Sequence, residues 1–469
     1  NRLQGERRLS GKYMLQKLYS GGYVLATDVF ILVSMVLFGT TKYFKNRVNI
    51  AIVLLISLST GYSQTQVSGM INTNTTWDST GSPYIVTGNI AVMNATLNIG
   101  AGVEVKFYQD VNMQILSGGE LIAQGTEQDS IVFTGNDDGI TWKGIIFDEN
   151  AVRTVFSADT SYLSGLIINY AIIENISNTD FLNAGLNIKV PILIKNTLFR
   201  NNVGYMSGTI YYNSSNYTYS NNFLVIDSSN FINNEIIQVG DKGSAIHCSS
   251  TNAFVKISNC NFSLNSRTAI NMYTSGKLYI NNSSFSYNSL GVISGGNQVN
   301  IDNCEFDNNT STLKGGVIYN ATNLTVTNST FSNNHSTQKG GAIYSTSIER
   351  IENCNFLNNI SESNGGAIFG RHYDDEQSLI IKNNIFKQNQ AENGGGFYGY
   401  FKVAFTDNLF INNSATNEGG NLYLPYNGTL LRNYFYDSIS DNSSLLYGNF
   451  TGSLNSFFST QFNYLIRVS

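Results

Sequence analysis

The chain has little charge, little proline and few of the residues that hold metals. Of its 469 residues only 13% are charged, three are proline, three are histidine and four are cysteine, and the net charge is −5. With no basic stripe interleaved with aromatics, nucleic acid is not expected as a partner. The histidines, His247, His335 and His372, fall at a spacing that fits no zinc motif, so neither a metal nor another cofactor is expected. The apolar stretches at 29–38 and 50–58 are both well short of the roughly 20 residues a spanning helix needs. So long a chain would overfill one compact core. A solenoid lengthens by adding coils without thickening.

What is present is repetition. Nine copies of the motif Phe-x-x-Asn share one repeat register, at Phe199, Phe231, Phe262, Phe285, Phe306, Phe331, Phe356, Phe386 and Phe410. From Phe262 onward the successive spacings are 23, 21, 25, 25, 30 and 24 residues, a period that means stacked repeats. Five residues before each phenylalanine the column is always apolar, from Ile194 to Phe405, and seven before it only Glu349 breaks an apolar column. Two apolar sites separated by one residue mark a strand with one buried face, and Glu349 is expected to turn outward at a local bulge.

Three residues before the phenylalanine stand Asn196, Ser228, Asn259, Asn282, Asn303, Asn328, Asn353, Asn383 and Asp407. Asparagine tolerates left-handed backbone, so these should turn the chain and stack into a ladder of amides. Glycine pairs then open a second strand: GGVIY from Gly315, GGAIY from Gly340, GGAIF from Gly365, GGFY from Gly395 and GGNLY from Gly419. These features predict an all-β chain, a right-handed parallel β-helix of about 22–25 residues per coil. Roughly 17 coils at ~4.8 Å would make a rod near 80 Å.

Cys260, Cys304 and Cys354 share one column, two before the phenylalanine, with Ser283 and Ser329 between them. They lie two coils apart, so about 10 Å separates neighbours, beyond the ~7 Å limit for a disulfide. Free, buried thiols are expected there; Cys248, beside His247, lies outside the column. Sequons at Asn74, Asn94, Asn213, Asn323, Asn427 and Asn442 would accept glycans on a eukaryotic secretory route, whereas ladder asparagines such as Asn328 should be too buried.

Four regions follow: 1–63, an amino-terminal extension; 64–190, capping and first coils; 191–420, the Phe-x-x-Asn and GGAIY coils; and 421–469, degenerate coils of the same helix. Within the first, Lys42, Lys45 and Arg47 precede the apolar run at 50–58 and then small and polar residues to Ser63. That is the layout of a secretory signal peptide cleaved after Gly61 or Ser63, with a membrane anchor as the competing reading.

From Gln64 the chain resembles the opening coils of secreted right-handed β-helix proteins of the pectin-lyase-like kind. The resemblance is carried by Leu97, Ile99, Gly102, Val103, Val105 and Phe107, then Gly119, Leu121, Ala123, Gly125 and Thr126, then Ile131, Phe133 and Thr134, then Trp142, Gly144, Ile145 and Phe147. The later GGAIY and Phe-x-x-Asn repeats are similar to those of bacterial polymorphic outer-membrane proteins, although no carboxy-terminal barrel is evident. Together the resemblances cover 64 to about 420. They imply a secreted or cell-surface protein.

Parallel β-helices often house polysaccharide lyases and hydrolases. Asn178, Thr179 and Asp180 match one polygalacturonase motif and Asp137 with Asp138 could mimic a second, but in the wrong order, and Gly-His-Gly and Arg-Ile-Lys are absent. Asp302 and Glu352 share a column but are separated by Thr327. No catalytic residue and no metal ligand is therefore assigned. Two binding candidates remain. One is the cluster Arg371, His372, Asp374, Asp375 and Glu376 in the coil from Phe356 to Phe386, which is lengthened to 30 residues. The other is the aromatic column Tyr319, Tyr344, Phe369, Tyr398 and Tyr423, expected to face outward because Ile318, Ile343 and Ile368 are the better inward residues, and able to stack on sugars or a protein.

The resulting expectation is a non-enzymatic adhesin or structural binding protein that recognises a glycan or protein at the cell surface and meets a membrane only through its amino-terminal segment. Its oligomeric state stays open. The alternative is a polysaccharide lyase or glycoside hydrolase with a diverged site, which three or more acidic or basic side chains converging from adjacent coils in one groove would favour.

Overall fold

A computed structural model describes residues 64–178, 184–205, 208–214, 221–237, 242–272, 275–371, 379–437, 444–459 and 466–467. The signal-peptide or anchor segment at 1–63 lies outside them. Every regular element among the described residues is a β-strand.

One coil shows how the sequence dictates the path. Strand Leu324–Thr327 buries Leu324 and Val326 and ends where Asn328 turns left-handed, with φ 52°. Strand Thr330–Ser332 buries Phe331, and Asn333, φ 55°, turns the chain again into the short strand His335–Ser336. Gly340 and Gly341 then lead into Ile343–Ser345, which buries Ile343. Gly340 has φ 72°, and a Cβ on Gly341 would stand 2.0 Å from the carbonyl oxygen of Gly366 in the next coil. The first glycine supplies the bend and the second lets two coils touch. In the 30-residue coil's successor the equivalent pair is Gly394–Gly395, and Gly396 takes the place of the alanine.

Each strand pairs in parallel with its counterpart one coil on. The phenylalanine face registers Phe199, Phe231, Phe262, Phe285, Phe306, Phe331, Phe356, Phe386, Phe410, Phe435 and Phe457 directly over one another. Their rings stack 4.6–5.0 Å apart with interplanar angles of 3–13°. The isoleucine face (Ile257, Ile280, Ile301, Val326, Ile351) and the glycine face (Ile270, Ile293, Ile318, Ile343, Ile368) register in the same way. All three inward columns meet in one continuous core. The solenoid has about 14 turns, which at ~4.8 Å per turn is a rod of about 67 Å, shorter than the 80 Å expected.

Part of the shortfall has an identifiable cause. The coil between Phe133 and Ile173 contains an extra hairpin, Val155–Phe156 against Tyr162–Ser164. Its Phe156 and Tyr162 pack outside the core on Ile167, Leu193 and Val225. Glu349 does lie at a bulge: the register shifts so that Ile348 takes the core position and Glu349 is exposed. At the carboxy-terminal end the stack is continued by Phe435, while the neighbouring Tyr436 is exposed.

The asparagines form ladders of two kinds, exposed and buried. Those that turn the chain before each phenylalanine are left-handed, φ 47–57°, and bond side chain to side chain, as Asn303 to Asn282 (2.8 Å) and Asn353 to Asn328 (3.2 Å). This ladder is exposed, and Asn328 is on the surface, contrary to the expectation that burial shields it. The longer buried ladder is the asparagine of Phe-x-x-Asn itself, and a shorter one runs through Asn384, Asn408, Asn433 and Asn455. The Asn309 amide, for example, donates to the carbonyl of Phe285 (3.0 Å) and to Oδ1 of Asn334 (3.1 Å), which also accepts the Asn309 backbone N–H (3.0 Å). An inward-facing amide in every coil meets the rule that buried polar groups find partners. All four cysteines are free and buried.

Candidate functional site

The glycine face alternates. Ile318, Ile343, Ile368, Phe397 and Leu422 enter the main core, while Tyr319, Tyr344, Phe369, Tyr398 and Tyr423 form a separate cluster on the outer side. Parallel pairing sets them one per coil, and Tyr447 continues the column. From Tyr344 to Tyr447 the rings lie 4.5–5.2 Å apart and within 12° of parallel. Their faces are thus largely taken up by one another, and Tyr344, Phe369 and Tyr398 are buried, at 9%, 2% and 3% exposure, so the outward column is itself covered at its middle. The column cannot offer a ring face to a sugar at every coil.

Open faces occur beside it. Tyr400 stands edge-on to Phe369 (63°) and Tyr398 (67°) and is 43% exposed; Tyr426, 6.2 Å from Tyr400, is 58% exposed. Lys314 and Lys339 each place Nζ 4.8 Å from the ring centre of Tyr344 and Phe369 respectively, in reach of a cation–π attraction. Together with Arg371 these side chains line a groove of about 560 Å³: Lys314, Lys339, Tyr344, Phe369, Arg371, Tyr400 and Tyr426. Burial, and then a hydrogen bond with Tyr400, push the Tyr398 phenol well above its usual range, and burial raises that of Tyr423. Both phenols stay neutral at physiological pH, so the charge of the groove comes from its cations.

Of the loop candidates, Arg371 lies in this groove, while His372, Asp374, Asp375 and Glu376 lie outside the described residues. Lys314, Lys339, Tyr400 and Tyr426 were not singled out from the sequence. A signal existed for the lysines, since each immediately precedes a glycine pair, Lys314-Gly315 and Lys339-Gly340. None existed for the tyrosines, which follow the repeat strand in coils of different length.

The other polar candidates do not converge. Asn178 is buried, its amide donating to the carbonyl of Lys143 (3.0 Å), and its motif partners Thr179 and Asp180 lie outside the described residues. Asp137 and Asp138 are exposed in a turn. Asp302 accepts from Thr327 and Asn328, and Glu352 pairs with Arg350 and Lys382. His247 is buried, stacks on Tyr211 at 5.5 Å, and has its pKa pushed down to about 4 by burial first and then by Lys242. His335 lies 3.3 Å from Glu362. Among the described residues no group of three His, Cys, Asp or Glu side chains could hold a metal ion.

A coil with this strand order and these stacks defines the class of protein: a family model described as right handed beta helix region matches residues 223–369 and, in an overlapping alignment, 293–438. The chain is a right-handed parallel β-helix. No curated protein matches it. Among solved structures it is similar to a GH136 lacto-N-biosidase from Eubacterium ramulus, with 8% identity and a TM-score of 0.27, covering 76% of this chain and 62% of that one. It is also similar to PfbA, a surface adhesin of Streptococcus pneumoniae, with 14% identity and a TM-score of 0.26, covering 80% of this chain and 85% of that one. Neither likeness bears on what this chain binds.

Proposed function

We propose that the chain is a secreted or surface-displayed β-helix that binds an extended glycan or protein along its glycine face and does no chemistry on it. The single observation behind this reading is the groove beside the aromatic column, where exposed Tyr400 and Tyr426 stand next to Lys314, Lys339 and Arg371. Rigid aromatic rings on a stiff scaffold give contact area at small entropic cost. Secretion rests on the signal-like layout of residues 42–63, and surface display on the resemblance of the repeats to polymorphic outer-membrane proteins.

The enzyme reading also has an observation in its favour, because three basic side chains from different coils do meet in one groove. Against it stands their sign. Glycoside hydrolysis uses a pair of carboxyl groups flanking the bond, and no carboxylate is among the described residues that line this groove. Incubation of the full chain with panels of pectin, alginate and glycosaminoglycan should leave them at full length, while glycan-array and cell-binding assays should give retention. Depolymerisation of any member of the panel would overturn the binding-only reading.

A further inference from the structure

We infer that the groove takes an anionic saccharide, with a sulfate or carboxylate group held between Lys314, Lys339 and Arg371 and a neighbouring sugar ring on Tyr400 and Tyr426. This rests on the proposed binding role of the glycine face and names the ligand class for it.

Charge comes first. The molecule as a whole is acidic, at −5, yet this groove sets Lys314 and Lys339 side by side with no carboxylate among its described lining residues. Lys314 and Lys339 make no ion pair with any described residue; their recorded contacts are with the rings beneath them. Both are half-buried, so an anion arriving there meets charges less screened than those of free surface lysines. The two occupy successive coils, the backbone N–H of Gly315 donating to the carbonyl of Lys339 (2.9 Å). Their positions therefore differ by about one strand spacing, ~4.8 Å, along the axis. One anionic group can be shared between them.

Shape selects a saccharide over other polyanions. A single-stranded nucleic acid needs a succession of open ring faces. In this column the faces from Tyr344 to Tyr447 are closed by mutual stacking, and only the tilted pair Tyr400 and Tyr426 offers a platform. That platform suits one or two pyranose rings, whose axial C–H groups pack on an aromatic face. The coil rise is close to the length of one sugar in an extended chain, so a polysaccharide can lie along the axis with one acidic group between the two lysines. A volume of about 560 Å³ lies within the range of small-ligand clefts.

The test is calorimetric titration of the full chain with four probes: a chondroitin sulfate hexasaccharide, a hyaluronan hexasaccharide, neutral chitohexaose and oligothymidylate. The expected result is binding of one or both acidic saccharides, sulfate and carboxylate being separated by the first two probes, with affinity falling as salt is raised. The K314Q/K339Q variant should weaken that binding by about tenfold or more, and Y400L should weaken it too. K314R/K339R, which keeps both charges over the rings, should restore most of it, and matched melting temperatures would show that the losses are not unfolding. Equal binding of chitohexaose, indifference to K314Q/K339Q, tighter binding of oligothymidylate, or no binding of either acidic saccharide would each overturn the inference. In the first two cases the proposed glycan-binding role would still stand, and in the last a protein ligand would remain for it.

Discussion

The same amino acid does opposite work a few positions apart, and the asparagines show it most plainly. Asn334 sits inside the coil, where Oδ1 accepts the backbone N–H (3.0 Å) and the amide (3.1 Å) of Asn309, and its own amide donates to Phe306 (3.0 Å) and Asn359 (3.0 Å). Removing it strands several buried groups at once, each at about 1–3 kcal/mol. Asn328 turns the chain at the surface, and a substitution there exposes its neighbours to water. We expect Asn334→Ala to lower the melting temperature sharply and Asn328→Ala to lower it by no more than a few degrees, measured by circular dichroism; equal effects would mean the inner ladder carries no special weight. Sequence periodicity located both columns, but could not say which was buried. Position relative to the phenylalanine sets the turn, and only the path of the whole coil decides which side of that turn faces inward.

The thiols belong to the same scale. Burial pushes Cys260 and Cys354 up to about 12 and Cys304 to about 11, from about 9. A thiol whose folded pKa is raised contributes stability that is complete below the unfolded value and is lost as pH climbs through the folded one. Stability should therefore fall between about pH 9 and 12, a window read from denaturant midpoints. At pH 8 iodoacetamide should label none of Cys248, Cys260, Cys304 and Cys354 in the native chain and all four once it is unfolded, because only the thiolate reacts. Rapid native labelling would show that these positions open. Their separation by serine coils was visible in the alignment of the repeats, so this part of the interior could be read before any coordinates.

At the scale of the element, the glycine pair decides how tightly coils approach. The Cβ that alanine would add at Gly341 falls 2.0 Å from the Gly366 carbonyl oxygen and 2.7 Å from that of Ile360. Neither backbone atom can move alone, since Ile360 belongs to a parallel ladder and the Gly366 N–H donates to the Gly394 carbonyl of the following coil. Gly341→Ala should therefore cost on the order of 3 kcal/mol and broaden the unfolding transition; a melting curve like that of the parent chain would refute the close-approach argument. The strand register was legible because equivalent residues recur in every coil. The hairpin at Val155–Phe156 and Tyr162–Ser164 was not, because it occurs once, and a device used once leaves no column to align. The groove was half legible for the same reason: its lysines precede repeated glycines, whereas Tyr400 and Tyr426 hang on irregular connections.

For the molecule as a whole, the consequence of this architecture is that each coil touches only its neighbours, so stability is a chain of local interfaces. Phe331 tests this, since it lies in mid-stack, 4.7 Å from Phe306 and 4.9 Å from Phe356. Phe331→Ala leaves a void and removes two stacked contacts, a loss of about 3–5 kcal/mol for a phenylalanine truncated in a core. In a globule that loss would be felt everywhere. Here it should stay near its source, so amide hydrogen exchange should accelerate in the coils carrying Phe306, Phe331 and Phe356 while those carrying Phe199 and Phe231 keep their protection. The cationic groove lies on the damaged coils, with Lys314 and Lys339 on either side of Phe331 in sequence, so any ligand of the groove should be lost together with local protection. Uniform acceleration along the chain would instead show that the rod opens as one unit, and that a groove on one face depends on every coil beneath it.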